Sequence, residues 1–181
     1  MLQHRMNNFK LDYCESFLEE ESSLFNDLIS LLPIGKQRST WLFGEDLMYT
    51  VETKNYKMER TPEPWLPCLI PIKEKLEKFL FIQYDCKINF NVCVIQQYPS
   101  GKYGIQKHRD KEMGNAMICG ISLGQTRTLS MYKYNTNVLN QPLKNGSLYV
   151  LLPPTNEYFS HCIPTDDSIG VRFSLTFRYK S

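Results

Sequence analysis

The sequence predicts an α+β chain, mainly β, with a jelly-roll core and N-terminal helices packed on one of its sheets. Three observations predict it. Short β-rich runs, separated by turn signals, fill the chain from residue 88 onward. Two amphipathic helical stripes precede them. At 181 residues the chain has room for one core and too little for two. Residues 1–181 are therefore read as one domain.

The elements follow in order. Ser16 and Glu19 have capping-box spacing. After them Phe17, Leu24, Phe25, Leu28, Ile29 and Leu32 recur at helical intervals until Pro33 and Gly35. Residues 1–35 are thus expected to be a helical segment, with His4 in a polar tail. Residues 40–51 look extended. A second helix is expected from Pro64 to Phe81, with Leu69, Ile72, Leu76, Phe79 and Leu80 on one stripe. Pro67 and Pro71 sit in its early part. Strand-like runs then cover 89–98, 103–108, 116–123, 127–134, 147–152, 158–163 and 171–179. Turn signals fall at Pro99-Ser100-Gly101, Gly124-Gln125, Asn140-Gln141-Pro142, Asn145-Gly146, Pro153-Pro154 and Asp166-Asp167.

Composition excludes several classes. Lys and Arg number 21 against 19 Asp and Glu, so this is not a histone-like basic protein. At 42% hydrophobic and 13% aromatic it is not a disordered chain. No apolar run is long enough to span a bilayer, and acids occupy the start where a signal peptide is apolar. The six cysteines are scattered without a C-x-x-C pair, as in a reducing compartment. The expectation is a soluble, intracellular protein that does not bind membranes. Residues 1–35 carry six acids and two bases, a net of −4, which leaves +6 for the remainder. Such a body suits a polyanion, although ordinary solvated surface has the same composition.

Only three histidines are present, which restricts any metal site. In His108-Arg109-Asp110 the imidazole and carboxylate are two apart and, in a strand, share one side. His161 lies in a later expected strand. Two His and one carboxylate on one face of a small barrel make the facial triad of non-haem Fe(II) enzymes, which leaves coordination positions open. In Val171–Arg178, alternation puts Arg172, Ser174, Thr176 and Arg178 on one side and Val171, Phe173, Leu175 and Phe177 on the other. Two buried guanidiniums need an anion, and a dicarboxylate supplies two. Taken alone, the tail equally fits an edge strand with solvated arginines.

Together these motifs resemble the AlkB family of Fe(II)- and 2-oxoglutarate-dependent dioxygenases, in its nucleic-acid-repair branch. Phe90-Asn91 with Val94 to Tyr98 resembles the strand ending in N-x-Y. His108-Arg109-Asp110-Lys111-Glu112 resembles the H-x-D segment, and Gly120 to Gly124 with Arg127 the S-x-G-x-x-R hairpin. Asn145 to Leu148 and Pro154-Thr155-Asn156 up to His161 resemble the G-S-L and P-T-N…H segments. Phe43-Gly44-Glu45, Tyr49-Thr50 and Pro64 to Pro67 resemble the region of the nucleotide-recognition lid. The resemblance covers residues 36–180.

It implies a double-stranded β-helix, with lid and supporting helix in 36–87 and catalytic core in 88–181. His108, Asp110 and His161 would bind Fe(II). Arg172 and Arg178 would hold the carboxylates of 2-oxoglutarate, with Tyr98, Gln96, Ser174 and Thr176 beside them. O2 would be the second co-substrate. Gln96 and Ser174 stand where the family has Asn, and Val51 where an aromatic would stack on the base. Tyr49 is the expected stacking residue, with Trp41 second; Tyr49 equally suits a half-buried strand. Arg38, Arg109 and Glu112 complete the expected substrate contacts, and Lys36 and Lys111 are further candidates for phosphates. The implied activity is oxidative demethylation of 1-methyladenine and 3-methylcytosine in DNA, single-stranded or locally unpaired, by a monomer, with release of formaldehyde and succinate. The alternatives are an RNA demethylase, a protein hydroxylase, or a non-catalytic nucleic-acid-binding relative.

Overall fold

A computed structural model describes residues 1–53, 56–114 and 116–179, and their side chains except at 51–53 and 56–58. The chain opens with a hairpin, β1 (Leu2–Met6) and β2 (Phe9–Cys14), followed by α1 (Glu21–Leu31). Next come β3 (Ser39–Gly44), the hairpin β4 (Tyr49–Thr53) and β5 (Tyr56–Arg60), and the short β6 (Glu63–Pro64). A 3-10 turn at Pro67–Leu69 leads into α2 (Ile70–Tyr84). The remainder is β7 (Val92–Tyr98), β8 (Ile105–His108), a 3-10 turn at Lys111–Met113, β9 (Ile118–Gly124) and β10 (Arg127–Lys133). Then follow β11 (Thr136–Leu143), β12 (Ser147–Leu151), the single turn α3 (Thr155–Tyr158), β13 (Ser160–Ile163) and β14 (Arg172–Arg178).

The large sheet has eight strands in the order β1-β2-β12-β9-β14-β7-β3-β6. The small sheet has four, β11-β10-β13-β8, and β4-β5 form a separate ribbon. The strands β7 to β14 are thus shared between two facing sheets, the jelly-roll arrangement that the turn spacing predicts.

Strand β14 lies between β9 and β7 and is buried on both faces, by the helices on one side and the small sheet on the other. Phe173, Leu175 and Phe177 join Leu24, Leu28, Leu76 and Leu80 of the two helices in one core. That core holds the helices against the outer face of the large sheet. Arg172, Ser174, Thr176 and Arg178 face the other way, between the sheets, where a second core contains Phe9, Leu129, Met131, Tyr149 and Phe159. The two prolines suit the second helix. Pro67 opens the 3-10 turn and Pro71 lies in the first turn of α2, where no intrahelical N–H bond is lost.

Four expectations need correction. Residues 1–35 are not all helical: the first 14 form a hairpin that extends the large sheet through β2–β12 pairing. Phe9, Leu11 and Tyr13 are buried on one face, a period-2 signal that the helical reading overlooked. His4 is accordingly in β1, its Nε2 3.1 Å from Gln141 Oε1. The capping box does not form, because α1 begins at Glu21; Phe17 and Leu18 instead donate their backbone N–H groups to Gly146 O. Finally, Asn140-Gln141-Pro142 is not a turn. It lies within β11, whose hairpin turns at Tyr134-Asn135. Pro142 is tolerated because β11 is an edge strand.

Leu76 is fully buried between α2 and the sheet. Leu76→Ala is expected to lower stability by about 2–5 kcal/mol in urea denaturation. A loss under about 1 kcal/mol would show that α2 does not brace the sheet.

Candidate active site

His108 ends β8 and His161 lies in β13, and the two are direct cross-strand partners. Their rings are 4.4 Å apart. Asp110 follows β8 at once, and its Oδ1 is 3.5 Å from His108 Nε2. One ligand atom from each of the three residues lies within 4.8 Å of the others. Local contacts orient each group. His108 Nδ1 sits 2.8 Å from Gln106 O and its Nε2 faces Asp110; burial opposes protonation of this imidazole, but the Asp110 carboxylate and Gln106 O outweigh it and raise its pKa. Burial pushes the His161 imidazole down to about 4, so it is neutral. Burial opposes ionisation of Asp110, but the Arg178 guanidinium, His108 and His161 together outweigh it and hold the carboxyl well below its usual range.

Asn156 fixes the loop that carries Asp110. Its Oδ1 accepts from Asp110 N (3.2 Å), and its Nδ2 donates to Asp110 O (2.9 Å) and Gly114 O (3.0 Å). In the sequence Asn156 stands out only as part of P-T-N, and its contact with the Asp110 backbone is a long-range one that spacing does not reveal.

The two arginines of β14 have different surroundings. Arg172 is 1% exposed; its Nε donates to Ser122 Oγ (2.9 Å), and both Nη atoms are buried without a hydrogen-bond partner. Burial lowers its pKa, with Tyr98 and Tyr149 offsetting only part of the cost. A buried fork without a protein partner fits a carboxylate, which would match it bidentately. Arg178 is already engaged. Its Nη2 is 3.1 Å from Asp110 Oδ2, and its Nη1 donates to Glu112 Oε1 and to the Tyr49 hydroxyl, leaving only Nε unpartnered.

The space beside these groups has two chambers. The inner one, about 40 Å³, is lined by Tyr98, Tyr149, Ser174, Thr176 and Arg172 together with the His-Asp-His group. Gly120 leaves room for the Tyr149 ring there, since a Cβ would come within 2.2 Å of it. The outer chamber, about 260 Å³, is walled by Thr40, Leu42, Val94 and Ile105, with Arg38 and Arg60 among its lining. Gln96 and Arg178 border both. Gln96 Oε1 accepts from the Tyr98 hydroxyl at 2.7 Å.

The structure thus brings His108, Asp110, His161, Arg172, Arg178, Tyr98, Gln96, Ser174 and Thr176 together, with Tyr49, Glu112 and Arg38 at the outer chamber. Tyr49 is only 2% exposed, with its hydroxyl 3.2 Å from Glu112 Oε1, so it is a wall and hydrogen-bonding group and not an open stacking platform. Burial pushes its phenol up to about 12. Trp41 is misplaced by the sequence reading. It points from β3 into the helix-side core, while its neighbours Thr40 and Leu42 face the chamber. Arg109 is exposed and donates to Glu157 O at 2.5 Å, outside both chambers. The Val51 side chain lies outside the described residues. Arg60 was missed: it pairs with Tyr49 across β4–β5, a register that spacing alone does not reveal.

Comparison with known proteins agrees with this geometry. The family model for the 2OG-Fe(II) oxygenase superfamily matches residues 33–178. The chain belongs to this superfamily. Within it the chain is AlkB-like. It is 28% identical to the DNA oxidative demethylase ALKBH2 of Mus musculus over 134 residues, 65% of this chain and 52% of that protein. The ALKBH2 of Homo sapiens gives 28% over 131 residues and 48% of its length. This oxygenase therefore spans about half the length of these curated relatives. An uncharacterised protein of Acanthamoeba polyphaga mimivirus, R406, is 26% identical over 123 residues, 65% of this chain and 61% of that one. Among solved structures, OsALKBH1 superposes with a TM-score of 0.66 at 13% identity, covering 98% of this chain and 99% of that one, a likeness of fold. The viral collagen prolyl hydroxylase vCPH from Paramecium bursaria Chlorella virus-1 gives 0.57 at 13%, over 92% and 93%.

The superfamily uses Fe(II), 2-oxoglutarate and O2, and the donor set fits: two imidazoles and one carboxylate suit Fe(II), and the Arg172 fork suits a carboxylate. The chain accordingly carries the domain of a 2-oxoglutarate-dependent dioxygenase. None of its described helices is long and apolar enough to cross a membrane.

Asn156→Ala is expected to weaken Mn(II) binding, measured by calorimetry on the iron-free protein, about 10–100-fold, because Asp110 loses its clamp. Undiminished affinity would show that the loop holds Asp110 by itself.

Proposed function

We propose that this oxygenase demethylates ring nitrogens of nucleic-acid bases, acting on 1-methyladenine and 3-methylcytosine in single-stranded or locally unpaired DNA. It would release formaldehyde and succinate. The observation that carries the reading is the outer chamber: about 260 Å³ with apolar walls, opening onto His108 and Asp110 and flanked by Arg38 and Arg60. Apolar walls suit the faces of a base, and guanidiniums suit the phosphates beside it. Both proposed bases are cationic when methylated, and the Glu112 carboxylate lines the same chamber. The likeness to ALKBH2, described as a DNA oxidative demethylase, supports the same reading. A target base reaches such a chamber only when it is out of the stack. Six free cysteines are in keeping with a reducing, intracellular compartment, and the protein is proposed to act as a monomer.

In this proposal His108, Asp110 and His161 hold Fe(II), which with 2-oxoglutarate and O2 supplies the oxidising power. The chain supplies alignment. Arg172, anchored by Ser122, receives one carboxylate of 2-oxoglutarate. Arg178 holds Asp110 Oδ2, which would leave Oδ1 for the metal, and its unpartnered Nε would be left for the second carboxylate. Tyr98 and Gln96 form a hydrogen-bonded wall between the chambers, with Ser174 and Thr176 lining the inner one. Tyr49 and Glu112 face the base. Val51 and Arg109 are kept as proposed contacts with the substrate strand, whereas Trp41 is withdrawn.

A formaldehyde-release assay on matched single- and double-stranded DNA and RNA oligonucleotides is expected to give the highest yield on single-stranded methylated DNA. Release from RNA alone would move the assignment to RNA. Succinate without formaldehyde from any methylated base would remove demethylation and leave a hydroxylase. Asp110→Ala is expected to abolish turnover; near-native activity would remove the iron assignment. Arg172→Ala and Arg178→Ala are each expected to raise the 2-oxoglutarate concentration needed for half-maximal succinate formation at least tenfold. An unchanged titration would mark that arginine as structural.

A further inference from the structure

Outside both chambers, the rim on the side of β8, β10 and α3 carries an unexplained group of exposed cations and aromatic rings. Tyr134, at the tip of the β10–β11 hairpin, is 84% exposed. Its φ of 55° is left-handed, a conformation that glycine or asparagine adopts more readily than tyrosine. Lys107 braces this tip, with Nζ 3.4 Å from Tyr134 O and 3.0 Å from Asn135 Oδ1, and lies 5.0 Å from the centre of the Tyr132 ring. Lys133 lies 5.8 Å from the centre of the Phe159 ring. On the other side of His108, Arg109 reaches the Glu157 carbonyl, next to the half-exposed Tyr158. The two cations flanking a metal-ligating histidine in sequence are therefore tied to two neighbouring surface features.

The group is close to the reaction centre. Met131 pairs with His161, and Tyr132 pairs with Ser160. Tyr134 is three residues beyond the partner of His161, on the order of 10 Å along the strand. Lys107, Arg109, Lys111 and Lys133 are exposed here, against one exposed acid among the described residues of this strip, Glu157. A large ring presented to solvent on an otherwise unfavourable backbone, among cations, is what a single strand requires: a π-face for a base and charges for phosphates.

We propose that the β10–β11 tip and the α3 turn form a strand-holding surface, in which Tyr134 stacks on an unpaired base flanking the target while Lys107, Lys133 and Arg109 meet the adjacent phosphates. The proposal rests on the nucleic-acid reading above and extends it to residues beyond both chambers. It assigns the flanking strand a fixed direction of exit, over β8 and the small sheet.

The test uses purified protein and a short, fluorescently labelled oligothymidylate, with anisotropy followed over a range of KCl concentrations. Tyr134→Asn removes the ring but keeps a residue suited to the left-handed conformation, so its melting temperature should not fall. It is expected to weaken binding about tenfold without changing the salt dependence. Tyr134→Phe should bind as the native protein does. Lys133→Gln should reduce the slope of log affinity against log salt by about 0.7. All three should keep native affinity for 2-oxoglutarate in a calorimetric titration. If the native protein binds the oligonucleotide and the Asn and Gln variants bind it equally well with the native slope, the surface serves something else, such as a protein partner, and the proposal is overturned. If the native protein binds neither DNA nor RNA oligonucleotides, the nucleic-acid reading fails first and this proposal with it.

Discussion

The ion pair between Arg178 and Asp110 joins most of the working parts. A guanidinium inside a β-barrel is costly unless it is matched. Here one fork reaches the Asp110 carboxylate after β8, Glu112 in the following 3-10 turn and Tyr49 at the start of the β4–β5 ribbon. Asp110, Tyr49 and Glu112 raise the Arg178 pKa against the cost of burial, and Arg178 in turn keeps Asp110 ionised. Breaking such a pair from one side leaves an uncompensated charge, with an effect of about 3–5 kcal/mol. The ribbon over the outer chamber and the loop that carries Asp110 are therefore held by the same side chain. A disturbance of the ribbon reaches the ligand carboxylate through one intermediary.

The chemistry of β14 was legible because alternation is a strong constraint. With Phe173, Leu175 and Phe177 committed to the helix side, Arg172 and Arg178 had to face inward. Scarcity helped at the metal site, since only three histidines were available. The hairpin β1–β2 was not read, because Glu and Leu residues immediately beyond it gave a competing helical period. Its own alternation spans only Phe9, Leu11 and Tyr13. Strand β11 was hidden by Pro142 and by asparagines that normally mark turns, which an edge position tolerates. Trp41 failed for a simpler reason. Residue type suggested stacking, but parity along β3 assigns Thr40 and Leu42 to the chamber and Trp41 to the core.

The departures at Gln96 and Ser174 read differently once the register is known. These residues are direct partners across β7 and β14. Both line the inner chamber. A longer amide therefore faces a shorter hydroxyl, and the space given up by one is available to the other. Two differences that look independent in sequence occupy one location in the fold.

Pro142 has one more consequence. An open-ended sheet exposes a row of backbone donors and acceptors on which another chain can grow. Strand β11 forms one such margin of the small sheet. Its proline has no N–H to offer, so a foreign strand cannot complete a continuous ladder past that position. The residue that concealed β11 from the sequence reading thus acts as a built-in stopper against sheet-to-sheet aggregation.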